Sequence, residues 1–270
     1  VGDGEIRLQR EGRLAILTID RPAKRNALDG PMWTSLGACA QELAADPPRV
    51  LILRGEGEHF SAGMDLSFHN PLLQRLVPAM VERDVAAARA IIEELKGYLR
   101  TLATLPCPVI AAVEGACAGG ALEVALTADL RVGSETAFFG MPELQVGLAP
   151  DVGGTTRLTR LIGRARATEL ILTGRRIDAR TALAWGLLNQ VCPAGGALDA
   201  ARALANEVMT SAPVATAAVL PVLRGVLGSD EASAEEAETL AGIAAIHGGE
   251  VMEGAQAFLQ RRRPSWAEEA

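Results

Sequence analysis

Aromatic side chains make up only 3% of the chain, with a single tyrosine. This scarcity removes the stacking platforms on which single-stranded nucleic acids are usually held. Excess positive charge is also missing. The formal net charge is −7, and the one dense basic run, Arg261-Arg262-Arg263, lies close to the acidic Glu268-Glu269. Such a balance repels a phosphate backbone, so no nucleic acid partner is expected, and any phosphate bound belongs to a small ligand. Cysteine is confined to Cys39, Cys107, Cys117 and Cys192, with neither a CxxC spacing nor a Cys/His cluster. Free thiols and no metal are the expectation. No uncharged apolar stretch is long enough to span a bilayer, and residues 1–10 carry no basic segment followed by an apolar run. The chain therefore reads as cytoplasmic, without membrane contact.

What is present is ordinary globular material: 49% hydrophobic and 22% charged residues over 270 positions. That length suits one large domain or a domain with a helical appendage, and does not fit two independent enzymes. Two apolar runs, 6–8 and 14–19, flank Glu11-Gly12, where glycine permits the positive φ of a tight turn, so the chain opens with a β-hairpin. Asp29 before Pro31 starts a helix through Met32, Leu36, Ala40 and Leu43 that Asp46-Pro47-Pro48 stops. A buried strand follows at 50–53. Helical spacing covers 71–104, and Pro106 and Pro108 bracket entry to an apolar strand at 109–113. A glycine-rich turn at 115–120, a helix to about 126 and a strand at 129–132 continue the alternation, so parallel β/α layering is expected. Strand signals vanish after about 196. The helical patterns near 197–210, 214–227, 232–246 and 249–261 have apolar faces large enough to meet a neighbouring subunit.

Three segments carry candidate chemistry. The loop His59-Phe60-Ser61-Ala62-Gly63-Met64-Asp65-Leu66 follows a buried strand, and its small residues let a ligand approach the backbone. The turn Gly115-Ala116-Cys117-Ala118-Gly119-Gly120 opens a helix that carries Glu123, and a helix N-terminus leaves N–H groups unpaired. If one such amide converges with one from the Gly63-Met64 loop, the pair forms an oxyanion hole. The third segment supplies Glu143 and Asp151, in Pro142-Glu143 and Pro150-Asp151-Val152-Gly153-Gly154. Two carboxyls facing one apolar pocket can hold a water, one accepting its proton while the other delivers a proton to carbon. Taken singly each signal has a plainer meaning: Glu123 a partner of the helix dipole, Glu143 an exposed loop carboxylate, Asp151 a helix cap.

Together, these segments resemble the signature of the crotonase (enoyl-CoA hydratase/isomerase) family in order, spacing and residue type. The likeness begins at Arg21-Pro22-Ala23-Lys24-Arg25-Asn26-Ala27-Leu28, similar to that family's RPxxxNAL box. It runs to Glu253-Gly254-Ala255-Gln256-Ala257-Phe258-Leu259-Gln260-Arg261-Arg262-Arg263-Pro264. The resemblance implies an α/β fold with a ββα-superhelical core over 1–195. A helical region over 196–270 would mediate oligomerisation, as a homotrimer or dimer of trimers, and cover the coenzyme A site. It implies an acyl-CoA thioester substrate and no cofactor, coenzyme A being carried by the substrate. The amides of Met64 and Gly120 would bind the thioester carbonyl, and Glu123 and Glu143 would activate water. Ala62, Gly63, Met64, Asp65 and Leu66, with Gly120, Lys24, Phe258 and Arg261, would contact coenzyme A.

Retention of both glutamates favours an enoyl-CoA hydratase. Two departures stand out: Gly119-Gly120-Ala121 replaces a frequent triple glycine, and Asp151 occupies a position where glycine is frequent. An aspartate there resembles dienoyl-CoA isomerases, so a dienoyl-CoA or enoyl-CoA isomerase is the alternative activity. A third carboxylate beside two others raises at least one pKa by repulsion. A crotonase-fold protein that binds coenzyme A or RNA without catalysis is the alternative outside enzymes, and net charge and scarce aromatics count against RNA.

Overall fold

The computed structural model describes residues 4–268; the very start of the stretch read for a leader (1–3) and Glu269 of the acidic end lie outside it. In chain order the elements are β1 (Glu5–Glu11), β2 (Leu14–Asp20), α1 (Gly30–Ala45), β3 (Val50–Gly55), α2 (Pro71–Val81), α3 (Val85–Ala103), β4 (Val109–Val113), β5 (Ala116–Ala118), α4 (Gly120–Ala125), β6 (Leu130–Ser134), β7 (Phe138–Gly140), α5 (Gly154–Ile162), α6 (Arg164–Thr173), β8 (Arg176–Asp178), α7 (Ala179–Trp185), β9 (Gln190–Cys192), α8 (Ala197–Met209), α9 (Pro213–Gly225), α10 (Glu231–His247) and α11 (Glu250–Gln260). A 3-10 turn, Pro22–Lys24, follows β2, and a second, Glu143–Val146, lies between β7 and α5.

The strands form a six-stranded sheet in the order β1-β2-β3-β4-β6-β9 and a three-stranded sheet in the order β5-β7-β8. The opening hairpin is antiparallel, with Glu11 opposite Leu14 and Gly12 at φ +59°. From β2 onward the large sheet is parallel. A parallel sheet covered on both faces needs strands that are apolar throughout, yet alternation still sorts their side chains. Ala15, Leu17, Ile19, Leu51, Leu53, Val109, Ala111 and Val113 join the main core with α1 and α3. Leu14, Ile16, Val50, Ile52, Ile110 and Ala112 face the other way, onto Ala201, Ala205 and Met209 of α8. The first of the late helices thus closes the sheet's second face.

Asp29 caps α1 by accepting the Met32 amide at 3.0 Å, as its place before a first-turn proline requires. The long helical segment is interrupted: α2 ends at Val81, Arg83 takes φ +56°, and Asp84 starts α3 by accepting the Ala87 amide at 2.9 Å. The glycine-rich turn also holds a strand, β5, paired with β7. Two isolated bridges, Leu28 to Met64 and Ser61 to Cys117, tie the 61–64 loop to the chain on either side of it.

Candidate active site

Those bridges decide where the site forms. Ser61 donates its amide to Ala116 O at 2.9 Å, and Leu28 donates to Gly63 O at 2.8 Å, so the loop is laid against the turn that opens α4. Gly63 has φ +96°, and a Cβ there would stand 2.6 Å from Ala118 O and 3.4 Å from Gly120 N. No side chain fits, and its absence permits this approach. The Met64 amide in turn lies 3.8 Å from the place a Gly120 Cβ would occupy. Neither the Met64 nor the Gly120 N–H has an acceptor among the described residues, whereas neighbouring Gly119 donates to Gly140 O at 2.9 Å. Two free donors therefore stand side by side.

They open onto a cavity of about 400 Å³. Its chemical side is formed by Ala62, Met64, Gly120, Glu123, Glu143 and Asp151, and its apolar side by Trp33 of α1 with residues of α2 and α3, among them Leu72, Leu76, Ile91 and Leu95. Glu123 is 3% exposed. Its Oε1 accepts the amides of Val152 at 3.1 Å and Gly154 at 2.7 Å. The first turn of α5 has no cap from its own N-cap residue, Gly153, and the carboxyl of Glu123 reaches across to serve it. Asp151 is therefore not the cap of α5; it borders the cavity.

Burial raises the Glu123 pKa to about 8, with the charges of Glu143 and Asp151 adding to the rise and the two amides opposing it. Both carboxyl oxygens of Glu143 are buried without a hydrogen-bond partner. Oε1 lies 3.4 Å from where a Gly119 side chain would begin. Burial pushes the Glu143 pKa up too, reinforced by Asp151. Asp151 is itself raised, chiefly by desolvation at the cavity wall, with Lys96 pulling the other way. Burial, with the nearby Glu143 and Asp151 charges, therefore favours the protonated form of Glu123. Because Oε1 of Glu123 is committed to two N–H groups, Oε2 is the oxygen free to carry that proton.

The residues singled out from sequence fall into two groups. Ala62, Met64, Leu66, Gly120, Glu123, Glu143 and Asp151 line the one cavity. Gly63 and Asp65 support it from behind. The Asp65 carboxylate binds Arg21 at 2.7 Å and the Ser67 amide at 2.8 Å, and although burial works to raise its pKa, these partners hold it below the ordinary value. Lys24 is exposed on its 3-10 turn, and Phe258 and Arg261 are exposed at the end of α11; none of the three lines the cavity. The sequence reading passed over Trp33, whose only signal was its place on the apolar face of α1 beside Met32 and Leu36. Among the described residues no group of three or more His, Cys, Asp or Glu side chains could hold a metal ion.

Fold and cavity together define an α/β protein in which one cavity sets two buried carboxyls beside two free backbone amides. Residues 9–269 match the family model described as enoyl-CoA hydratase/isomerase. The carnitinyl-CoA dehydratases of Salmonella agona and Salmonella enteritidis are 36% identical to the chain, covering 97% of it and 97% of their own length. The crystal structure of an enoyl-CoA hydratase from Polaromonas sp. JS666 superimposes with a TM-score of 0.86 at 34% identity, covering 97% of this chain and 99% of that one. An enoyl-CoA hydratase from Bacillus anthracis gives a TM-score of 0.86 at 30% identity, covering 96% and 97%. The chain belongs to the enoyl-CoA hydratase/isomerase, or crotonase, family.

Proposed function

We propose that the protein is an enoyl-CoA hydratase, adding water reversibly to a 2-enoyl-CoA thioester. One observation carries this reading: Glu123 and Glu143 are two buried carboxyls on the same cavity as the unpaired amides of Met64 and Gly120. The thioester carbonyl accepts from both amides, which stabilise the negative charge that grows on its oxygen as C3 is attacked. A water held between the glutamates loses a proton to the ionised carboxyl and bonds through oxygen to C3. The protonated carboxyl delivers its proton to C2 on the same face, and the pair regains its starting count. Water supplies both added groups, so the step needs no oxidant or reductant. The reverse direction is dehydration of a 3-hydroxyacyl-CoA, the kind of reaction for which the Salmonella relatives are named. In this reading the exposed Lys24, Phe258 and Arg261 serve the nucleotide end of coenzyme A.

Asp151 on the cavity rim favours a second reading, a dienoyl-CoA or enoyl-CoA isomerase in which a carboxyl moves one proton between carbons. Incubation with crotonyl-CoA in H2 18O, beside a dienoyl-CoA, separates the two by mass spectrometry. Heavy oxygen in a 3-hydroxyacyl product is the expected result. A shifted double bond without heavy oxygen selects the isomerase, and no turnover of either thioester or of their acyl-oxygenated analogues removes both.

A further inference from the structure

Among the described residues four buried side-chain atoms have no hydrogen-bond partner: Nη1 of Arg49, both carboxyl oxygens of Glu143, and Nε1 of Trp33. Arg49 is held through its other terminal nitrogen, which donates to Ser211 O at 2.6 Å and to Met209 O at 3.2 Å. Glu143 is accounted for by proton transfer. Trp33 is not: hydration of an enoyl thioester gives its N–H nothing to do. Yet the side chain is 1% exposed and forms part of the cavity wall. Its Cζ2 lies 3.3 Å from the Cβ position of Gly120, and Nε1 is two bonds from Cζ2, so the nitrogen stands near the end of the cavity where the carbonyl is held.

An indole N–H buried without an acceptor opposes folding, and phenylalanine would supply comparable apolar surface at no such cost. The remainder of that wall is apolar, from Leu72, Leu76, Ile91 and Leu95. A lone donor in an apolar wall is how a pocket selects one oxygen on an otherwise hydrocarbon ligand. The covering of Nε1 does not set it apart, because the oxygens of Glu143 are covered equally and must also be reached by substrate. We infer that Trp33 is a specificity-determining residue whose N–H donates to an oxygen on the acyl chain. The preferred substrate is then an acyl-CoA bearing a carbonyl or hydroxyl beyond C3, and not a plain alkenoyl-CoA. This inference rests on the acyl-CoA reading above.

The test uses unreactive saturated thioesters, so that it reads binding and not turnover: hexanoyl-CoA and its 4-oxo and 5-oxo analogues, titrated calorimetrically against the intact protein and the Trp33→Phe variant. The wild type is expected to bind at least one oxo analogue more tightly than hexanoyl-CoA. Trp33→Phe should weaken that analogue about tenfold and leave hexanoyl-CoA within about twofold. In the wild type labelled with 15N-tryptophan, one indole N–H resonance should shift downfield with the preferred analogue and not with hexanoyl-CoA, a readout independent of how well the variant folds. Equal weakening of all three ligands, or no preference for either oxo analogue, overturns the inference and leaves the hydratase reading intact. Failure of every thioester to bind overturns both.

Discussion

At the scale of single residues, Glu123 holds two obligations. It closes the first turn of α5 through Oε1, and it faces the cavity with a pKa raised to about 8. A carboxyl whose folded pKa lies above its ordinary value of 4.5 favours the folded state fully while both states are protonated, and loses that contribution as pH rises through the folded pKa. Stability should therefore decline between about pH 5 and pH 8, by no more than about 1.4 kcal/mol per pH unit for this group. Denaturant midpoints across that range should show the decline in the wild type and a flatter profile in Glu123→Gln. Glu143 makes no comparable structural bond. Glu143→Gln should lower kcat by about 10²–10⁴-fold while calorimetry shows unchanged binding of a saturated acyl-CoA. Full activity in that variant would remove Glu143 from the mechanism. Sequence spacing alone could not show that these two side chains meet, since Glu143 follows a proline in a loop. The family resemblance placed them together. Trp33 was hidden because its function depends on an unmet hydrogen bond, which a helical apolar pattern does not reveal.

Among elements, β3, β4 and α1 were legible because each is a largely apolar run or a capped periodic helix. β5 was not: three residues inside a glycine-rich turn have no period of their own, and the strand exists because β7, twenty-two positions later in register, pairs with it. The division between α2 and α3 was missed for a related reason. The break at 82–84 contains neither glycine nor proline, and relies on Arg83 in a left-handed conformation with Asp84 as cap. The two helices still meet through Arg75 and Glu94 at 2.6 Å, an exposed pair that contributes at most about 1 kcal/mol. The acyl wall depends instead on buried side chains such as Leu95 of α3, which is 4% exposed. Leu95→Ala should cost about 2–5 kcal/mol in denaturant unfolding. It should also move the preferred acyl length upward in a series of enoyl-CoA substrates, because the vacated volume adjoins the cavity. An unchanged length preference would separate Leu95 from acyl selection.

For the whole molecule, the late helices divide by what they cover. Ala201, Ala205 and Met209 of α8 are buried against the sheet, whereas α10 has no buried residue and displays Leu240, Ile243 and Ile246, and α11 displays Met252, Phe258 and Leu259. That much exposed apolar surface predicts association. Light scattering should give three or six times the chain mass of 28.2 kDa, and Ile243→Asp should lower it; a monomeric wild type would refute the assembly. The sequence pattern showed that these faces were apolar, and it could not show which of them the chain itself would bury. The cavity is divided in a similar way. The groups on the polar side of the cavity come from the start of α4, a 3-10 turn and two loops, while the hydrocarbon wall opposite is largely α2 and α3. None of the reacting groups lies within residues 71–103, so the same catalytic floor can be inherited unchanged while side chains of its roof diversify, and descendants of one ancestor can part in diet before they part in chemistry.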